Sequence, residues 1–483
     1  MKLILSLVSL LVAASSCLAQ GENPFLKEPA KKAPLADAGG SFLTLEEHIL
    51  VPSDLLDAWL QDRSLADGAE ELRAAAQEWI AVDKAVLDHS ALSAGIVGRR
   101  FTNETKIEQI YATEYHPAKG RDEWQLPTSF ETRNLGYSLE GDAIREQGQL
   151  VVRAETDTVR MLSHGSWDRL AEATREPSDI FIPRFRSVRN SQSIPLDKPE
   201  MSNDPFAPGK FVGPKKSLPS YTAGNTRLVL RTDDDLSEPG AKEPNGNVPE
   251  YEKPAGLAPD RPVRLVFFRG ESIEDPPDND KPLPDDIPLT MRMIQVDHFQ
   301  LSDWLQQRDL NSADKELNQA VESWLKDGSA KIIRTLSGEV QKGVKSHIED
   351  IKPLEYPTEY KPGERVPTTD GKPSQLEFAT PTSFESRHVG SSMQSELTTD
   401  ENGLLMQLSL ERVIHGGDTV HHRILRDGKW EPNITFPRFS TNSWVTVLRP
   451  GRGEWTLVGS GGAFAEDSDV DPDHTVLAFI KVD

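Results

Sequence analysis

Six polar residues occupy matching positions in two stretches of the chain, and their types could support ion pairing, hydrogen bonding or proton transfer. They are Tyr115, Glu131, Arg133, Tyr360, Glu385 and Arg387. Each glutamate precedes its arginine by two residues, so in a strand the carboxylate and the guanidinium share one face. This pattern favours an ion pair and a packed tyrosine that define a structural module. A binding surface used once in each stretch is the alternative.

The sequence lacks the motifs of common enzyme classes. It contains no Gly-x-Ser-x-Gly, no phosphate-binding loop with a lysine and no His-Glu-x-x-His. An acid–base pair of carboxylates would need a cleft and perturbed pKa values, which a sequence does not reveal. We therefore expect no catalytic residues and no enzyme activity.

Two groupings could suggest a metal site. His421 and His422 are adjacent, but neighbouring strand residues point to opposite faces, so one ion cannot easily use both. Aspartates alternate over residues 467–473 like the start of a calcium loop. The central glycine of such a loop is absent, and Ala478 stands where a bidentate glutamate would be. We predict no metal and no cofactor.

The paired polar residues belong to a longer repeat. The segment Pro127–Gly136 returns, with small changes, as Pro381–Gly390, 254 residues later. The segment Trp59–Arg63 returns as Trp304–Arg308 after 245 residues, and a longer polar loop at 362–375 accounts for the difference. Landmarks that recur in one order predict a tandem duplication of a foldable unit.

Each copy is predicted to be α+β, with one or two helices packed on a mostly antiparallel β-sheet. Strand-like runs open the copies at 43–51 and 289–296. Apolar residues then recur at steps of three and four over 69–80 and 315–325, which indicates amphipathic helices. Later runs alternate with period two between Gly and Pro, as half-buried antiparallel strands do.

Composition predicts where the domains end. Residues 271–288 hold five prolines and seven acids, which is typical of an extended, solvated linker. This linker separates module 1, residues 41–270, from module 2, residues 289–483. Within module 1, residues 233–262 have a similar acidic, proline-rich composition and are predicted to be a disordered loop.

The N-terminal residues predict export. An apolar run at 3–14 follows Lys2 and is too short to span a bilayer comfortably, so residues 1–19 are predicted to be a signal peptide. Residues 20–40 would then form a flexible tether. A lipid anchor on Cys17 is the alternative reading. The sequence has one cysteine, so a mature chain beginning after residue 19 would have neither disulfides nor a thiol nucleophile.

The charge of the chain restricts its partners. The formal net charge is −23 at pH 7, which argues against nucleic acid because phosphates need clustered Lys and Arg. We expect no nucleic acid partner and no membrane span in the mature chain. Protein partners of the cell envelope, or self-association, are the expected interactions.

Several motifs occur in an order that resembles a known module. A helix leads into a strand start at 327–331, and a Phe-Glu-x-Arg-x-x-Gly strand occurs at 130–136 and 384–390. Pro-x-Phe strand starts at Pro183 and Pro437 and a Gly-rich turn at 457–462 follow. This order resembles the C-terminal gate module of secretins, outer-membrane proteins of bacterial type II and type III secretion. The resemblance implies two divergent tandem copies of that module.

The chain also departs from the secretin pattern. It has two modules where a secretin has one, and five prolines between 195 and 214 are expected to interrupt a hairpin that would reach a membrane. We therefore expect a non-enzymatic exported protein, periplasmic or outer-membrane-associated in a Gram-negative bacterium, with an assembly, scaffold or interaction role. A pore-forming outer-membrane secretin relative and an envelope-polymer hydrolase are the alternatives.

Overall fold

The computed structural model describes residues 39–61, 63, 69–116, 126–146, 149–167, 180–195, 226–233, 262–276, 284–366, 375–426, 429–465 and 469–483. The predicted signal peptide with Cys17, nearly all of the predicted tether and residues 234–261 of the predicted acidic loop lie outside the described residues. All described residues belong to one compact unit.

The first half of the chain, residues 41–272, begins with a strand and two helices and continues with strands. Its elements are β1 (Ser41–Pro52), α1 (Ser53–Gln61), α2 (Ala69–Ala81), β2 (Val86–Ile96), β3 (Arg100–His116), β4 (Leu126–Glu146), β5 (Gln149–Trp167), β6 (Ile180–Pro195), β7 (Thr226–Asp233) and β8 (Pro262–Ser272).

The second half, residues 286–482, follows the same order, with a short two-stranded insertion. Its elements are β9 (Asp286–Asp297), α3 (His298–Gln306), α4 (Leu310–Asp327), β10 (Ala330–Gln341), β11 (Lys345–Lys361), β12 (Arg365–Val366), β13 (Gln375–Leu376), β14 (Thr380–Asp400), β15 (Gly403–Arg426), β16 (Lys429–Leu448), β17 (Trp455–Phe464) and β18 (Val470–Val482).

Local sequence explains where the helices of the second half begin and end. The Asp297 carboxylate accepts a hydrogen bond from the Gln300 N–H at 2.6 Å and so caps the start of α3. Gly328 ends α4 in the left-handed conformation, which glycine adopts without strain. In the described residues, no helix has both the length and the apolar character needed to cross a membrane.

The strands form two large antiparallel sheets. The first has the order β10-β9-β18-β17-β2-β1-β8-β7, and the second has the order β11-β14-β15-β16-β3-β4-β5-β6. In the first half, α1 and α2 pack on one face of the first sheet, where Leu72 and Phe267 belong to one apolar cluster. The opposite face packs on the second sheet, where Phe42 and Tyr137 share another cluster. The prediction of mostly antiparallel sheet with helices packed on it is confirmed.

Several strands are longer than the sequence pattern predicted, and β15 runs for 24 residues. Of the five prolines expected to interrupt a hairpin in the first half, Pro195 is the last residue of β6, and β5 pairs with β6 up to this residue. The other four, between residues 199 and 214, lie outside the described residues.

The linker predicted for residues 271–288 overlaps the neighbouring strands at both ends. Glu271 pairs with Leu43 in the sheet and is buried, and Asp286 already begins β9. Backbone pairing with neighbouring strands outweighs the local excess of acids and prolines at both ends of this segment.

Two glycines mark the positions where the two strands of a hairpin stop pairing with each other. Strand β4 pairs with β5 only from Gly136 onward, and β14 pairs with β15 only from Gly390 onward. Gly136 has φ +111° and Gly390 has φ +133°, a region that residues with a Cβ rarely adopt. The earlier parts of β4 and β14 therefore separate from β5 and β15 and continue beside β3 and β11, respectively.

We expect Gly390→Ala to lower the free energy of unfolding by about 2–3 kcal/mol, measured by urea denaturation. A Cβ at this position would clash with the carbonyl oxygen of Asp350, in addition to straining the backbone. Gly417 is the matched control, because its φ is +87° but a Cβ there would meet no atom within 4 Å. Gly417→Ala should cost only about 1 kcal/mol. Equal losses in the two variants would contradict this account.

Candidate functional site

The two halves of the chain join edge to edge in both sheets. In the second sheet, residues 439–445 of β16 pair with residues 102–108 of β3. In the first sheet, β17 meets β2 at one register position, where Gly459 lies opposite Ser93. We call this junction the seam, and it brings the predicted site residues of both halves close together.

Buried polar side chains fix the register of the seam. The Asn103 amide donates to the carbonyl oxygens of Leu92 at 2.9 Å and Ser460 at 2.8 Å. The Asn442 amide donates to Thr105 Oγ1 across the seam at 3.4 Å and to the Gly462 carbonyl of its own half at 3.0 Å. Both asparagines are fully buried. Because a buried amide without a partner is costly, these bonds favour one alignment of the halves over any shifted one.

A buried ion pair of the first half is hydrogen-bonded to a serine of α3 in the second half. The Arg73 guanidinium donates to both oxygens of Glu47, at 2.8 and 2.7 Å, and the Ser302 hydroxyl donates to Glu47 at 2.8 Å. Burial acts to raise the pKa of Glu47, but Arg73 and Ser302 outweigh it and hold that pKa below its ordinary value. No motif in the sequence indicated these residues.

A serine and a histidine also meet across the halves. Ser90 Oγ and His298 Nε2 are 2.7 Å apart, and His298 Nδ1 lies 3.2 Å from the Pro472 carbonyl oxygen. Such a pair can activate a serine nucleophile, but Ser90 is 4% exposed and His298 is 5% exposed. Because a substrate would have no access to them, the pair is better interpreted as a polar link between α3 and β2.

The space between the two sheets contains a second buried polar group. Glu46 Oε1 lies 2.7 Å from His48 Nε2, and the rings of His48 and His89 pack against Tyr137. Burial raises the pKa of Glu46 to about 8 and holds the pKa of His89 well below its ordinary value. Glu46 is therefore a largely neutral acid at pH 7.

The predicted glutamates have equivalent surroundings in the two halves. The Tyr111 hydroxyl donates to Glu131 at 3.2 Å, and the Tyr356 hydroxyl donates to Glu385 at the same distance. Each tyrosine also packs on a phenylalanine ring, with centroids 5.5 Å apart in the first half and 5.6 Å apart in the second. The repeated Tyr-x-Thr-Glu-Tyr segment contained this signal, but the sequence-based prediction named its last tyrosine instead of its first.

The arginines have different partners in the two halves. Arg387 pairs with Glu108 across the seam, with Nε 3.0 Å and Nη2 2.8 Å from Glu108 Oε1. Arg133 lies over the ring of Phe185 at 5.8 Å and has no carboxylate partner among the described residues. The seam pairing of β16 with β3 places Glu108 within reach of Arg387, so the nearest acid in the sequence, Glu385, is not its salt-bridge partner.

The remaining predicted residues lie in the core or its margin. The Tyr360 hydroxyl donates to the Thr435 carbonyl at 3.4 Å, and Tyr115 lies opposite Pro127 where β3 pairs with β4. His421 packs against Phe130, and burial lowers the pKa of this histidine to about 4. In the part of the chain that is described, no group of His, Cys, Asp or Glu is arranged to hold a metal ion. Asp467 lies outside that part.

Glu131 and Glu385 line one shared cleft of about 270 Å³. The aromatic rings of Phe130, Tyr356 and Phe436 form much of its remaining wall. The cleft lies near the point where β11 meets β4, opposite Ser129, and its lining comes from both halves. The alternative interpretation of the sequence was one binding surface in each copy, whereas in the structure both glutamates line a single cleft.

Comparisons with protein-family models, curated proteins and solved structures give no match to this chain. The features that bear on function are therefore the geometry of the seam, the open strand edges and the cleft.

Proposed function

We propose that this chain is a non-enzymatic assembly protein, made of two tandem homologous modules, that associates with further copies of itself. The order β2-β1-β8-β7 in the first half has the counterpart β10-β9-β18-β17 in the second. Likewise, β3-β4-β5-β6 has the counterpart β11-β14-β15-β16. Equivalent element orders, together with the repeated sequence segments, support the duplication.

One observation carries the proposal: the seam is a head-to-tail junction, and among the described residues both matching edges at the ends of the second sheet are unpaired, except where Glu359 of β11 lies opposite Ser129 of β4. Strand β16 of one half pairs with β3 of the other, while β6, the counterpart of β16, ends the sheet on one side. Strand β11, the counterpart of β3, ends it on the other side. A junction of this kind can repeat from chain to chain, because the two surfaces that form it are different.

The two open edges carry opposite charge. Strand β6 contains three arginines and no acid, whereas residues 347–353 of β11, which the register of the seam would pair with it, contain two acids and one lysine. Arg189 has acidic partners on its own sheet, but its side chain is 61% exposed, so these pairs hold it only weakly. Complementary charge favours pairing of β6 with β11 over pairing of either edge with itself.

An exposed phenylalanine also favours a further module at the open end. Phe130 packs against Phe436 of the other half, with ring centroids 4.2 Å apart. Its counterpart 254 residues later, Phe384, is 62% exposed. A large aromatic side chain gains free energy when it is buried, so a neighbouring copy that covered Phe384 would be favoured.

The register of the seam predicts the register between chains. In the seam, Val445 lies opposite Thr102 and Ser443 lies opposite Glu104. The same offsets applied to the open edges put Ser191 of one chain opposite His347 of the next. They also put Arg189 opposite Glu349, which makes a favourable charge pair.

Engineered cysteines test this assembly. We expect the chain from residue 20 onward, with Ser191→Cys and His347→Cys, to form a ladder of disulfide-linked oligomers on mild oxidation, visible on a non-reducing gel. Val445→Cys with Thr102→Cys is the matched control and should form a disulfide within one chain, without a ladder. Monomers alone, or an equal ladder from the off-register pair Ser191→Cys with Ile351→Cys, would disprove the proposed junction.

We place this assembly in the envelope of a Gram-negative bacterium, as an exported protein related to secretin gate modules. The support is the signal-like segment at 1–19, the order of the repeated motifs and the acidic composition of the chain. No cysteine follows residue 17, so the engineered pair should also cross-link without added oxidant in an oxidising periplasm.

A further inference from the structure

The shared cleft at the tips of β4 and β11 has the chemistry of a small-molecule site. We infer that it binds a small organic cation with an apolar body, such as an amidinium or ammonium group on an aromatic or aliphatic frame. The volume of about 270 Å³ suits one compact molecule.

The two carboxylates of the cleft are held in place without being neutralised. Tyr111 and Tyr356 donate hydrogen bonds to Glu131 and Glu385, each at 3.2 Å. Neither glutamate has a lysine or arginine in a salt bridge among the described residues, and no basic side chain lines the cleft. Both glutamates are exposed, so a cation can reach the two carboxylates from solvent and donate N–H hydrogen bonds to them.

The aromatic wall selects an organic cation over a metal ion. Phe130 and Phe436 pack with centroids 4.2 Å apart and planes tilted by 48°, and Tyr356 completes the wall. Aromatic faces attract organic cations and also bury an apolar frame. Calcium, by contrast, needs six to eight oxygen ligands, and two carboxylates supply too few.

Nearby charges strengthen the preference for a cation. Burial raises the pKa of Glu108, Arg387 opposes this shift, and the charges of Glu411 and Glu385 add to it. Three acids, Glu108, Glu385 and Glu411, therefore lie near one base, Arg387. The net charge of −23 further raises the local concentration of cations.

The cleft is complete within one chain, so this inference does not depend on self-assembly. Its walls come from β3, β4, β11, β14 and β16, which the seam and the contact between Ser129 and Glu359 bring together. A chain that stays monomeric should still bind the cation, and loss of binding should leave the edges of β6 and β11 unaffected.

Titration calorimetry with benzamidine tests the site. We expect saturable one-to-one binding, and we expect Glu131→Gln or Glu385→Gln to weaken it about tenfold, since each removes a charge-assisted hydrogen bond. Benzamide, which has nearly the same shape but no charge, should bind at least about tenfold more weakly than benzamidine. Tyr356→Phe should weaken binding less than Glu385→Gln, because it removes only the group that orients the carboxylate.

Glu339→Gln is the matched control, because it removes an exposed acid on β10 outside the cleft. It should leave benzamidine binding unchanged. Equal binding of benzamide would overturn the inference by showing an apolar cleft without charge selection. Equal weakening by Glu339→Gln and Glu131→Gln would overturn it by showing general attraction to an acidic protein. Circular dichroism on each variant separates a binding defect from unfolding.

Discussion

Replacing Arg73 with methionine should lower the free energy of unfolding by about 3–5 kcal/mol, the largest loss we expect from one substitution. Arg73 is fully buried and holds the equally buried Glu47 through two hydrogen bonds. Methionine keeps most of the side-chain volume but leaves the Glu47 carboxylate without its cation. The measurement is urea denaturation at pH 7, followed by tryptophan fluorescence and far-UV circular dichroism.

Two further variants separate the buried charge from simple loss of packing. Arg100→Met removes an arginine whose side chain is 77% exposed and paired with Glu140, so it should cost less than about 1 kcal/mol. Adding Glu47→Leu to Arg73→Met removes the stranded carboxylate and should recover part of the loss. If the double variant is less stable than Arg73→Met alone, the loss comes from packing and not from the unpaired charge.

Replacing Glu46 with glutamine should make the protein more resistant to alkaline conditions. The pKa of Glu46 is about 8 in the folded chain and about 4.5 as its ordinary value, so folding takes up a proton between these pH values. Native stability therefore loses a contribution of a few kcal/mol as the pH rises from about 4.5 to about 8. Glutamine has no such titration, so the advantage of the variant should grow across this window.

Other buried groups also make the free energy of unfolding depend on pH, and their contribution must be separated from that of Glu46. Burial lowers the pKa values of His89 and His298, so these groups favour unfolding as the pH falls below about 6.5, and they do so in both proteins. Urea midpoints of the native chain and of Glu46→Gln at pH 5, 6, 7 and 8 should diverge steadily. Parallel curves would show that Glu46 is already ionised beside His48 when the protein is folded.

Local periodicity was sufficient to place the opening strands and the helices. The runs at 43–51 and 289–296 lie within β1 and β9, and the helical patterns at 69–80 and 315–325 lie within α2 and α4. These elements depend on spacing that repeats within a few residues, so the sequence alone carries the signal.

Buried charges could not be predicted in this way. Glu46, Glu47 and His48 follow one another in β1, and a pattern that assigns acids to solvent places them outside. The strand is in fact covered on both faces, by helices on one side and the second sheet on the other. Arg73, the partner of Glu47, is 26 residues away along the chain, and only the assembled layers bring the two together.

The cleft also could not be predicted from the sequence. The repeat identified Glu131 and Glu385 as equivalent residues, but equivalence says nothing about distance. Their approach depends on the seam pairing of β16 with β3 and on the contact of β11 with β4. Both contacts join strand edges that are far apart in sequence, and no local pattern specifies which edges pair.

Hydrogen bonds across the seam hold the two halves together in addition to the peptide segment that connects β8 with β9. Four hydrogen bonds form only when both halves are docked: Asn103 to the Ser460 carbonyl, Asn442 to Thr105, the Leu92 N–H to Ser460, and Ser302 to Glu47. A single proteolytic nick between these strands would therefore leave the fragments bound as a noncovalent heterodimer. We expect two separately made polypeptides, residues 39–276 and 284–483, to associate with each other by fragment complementation.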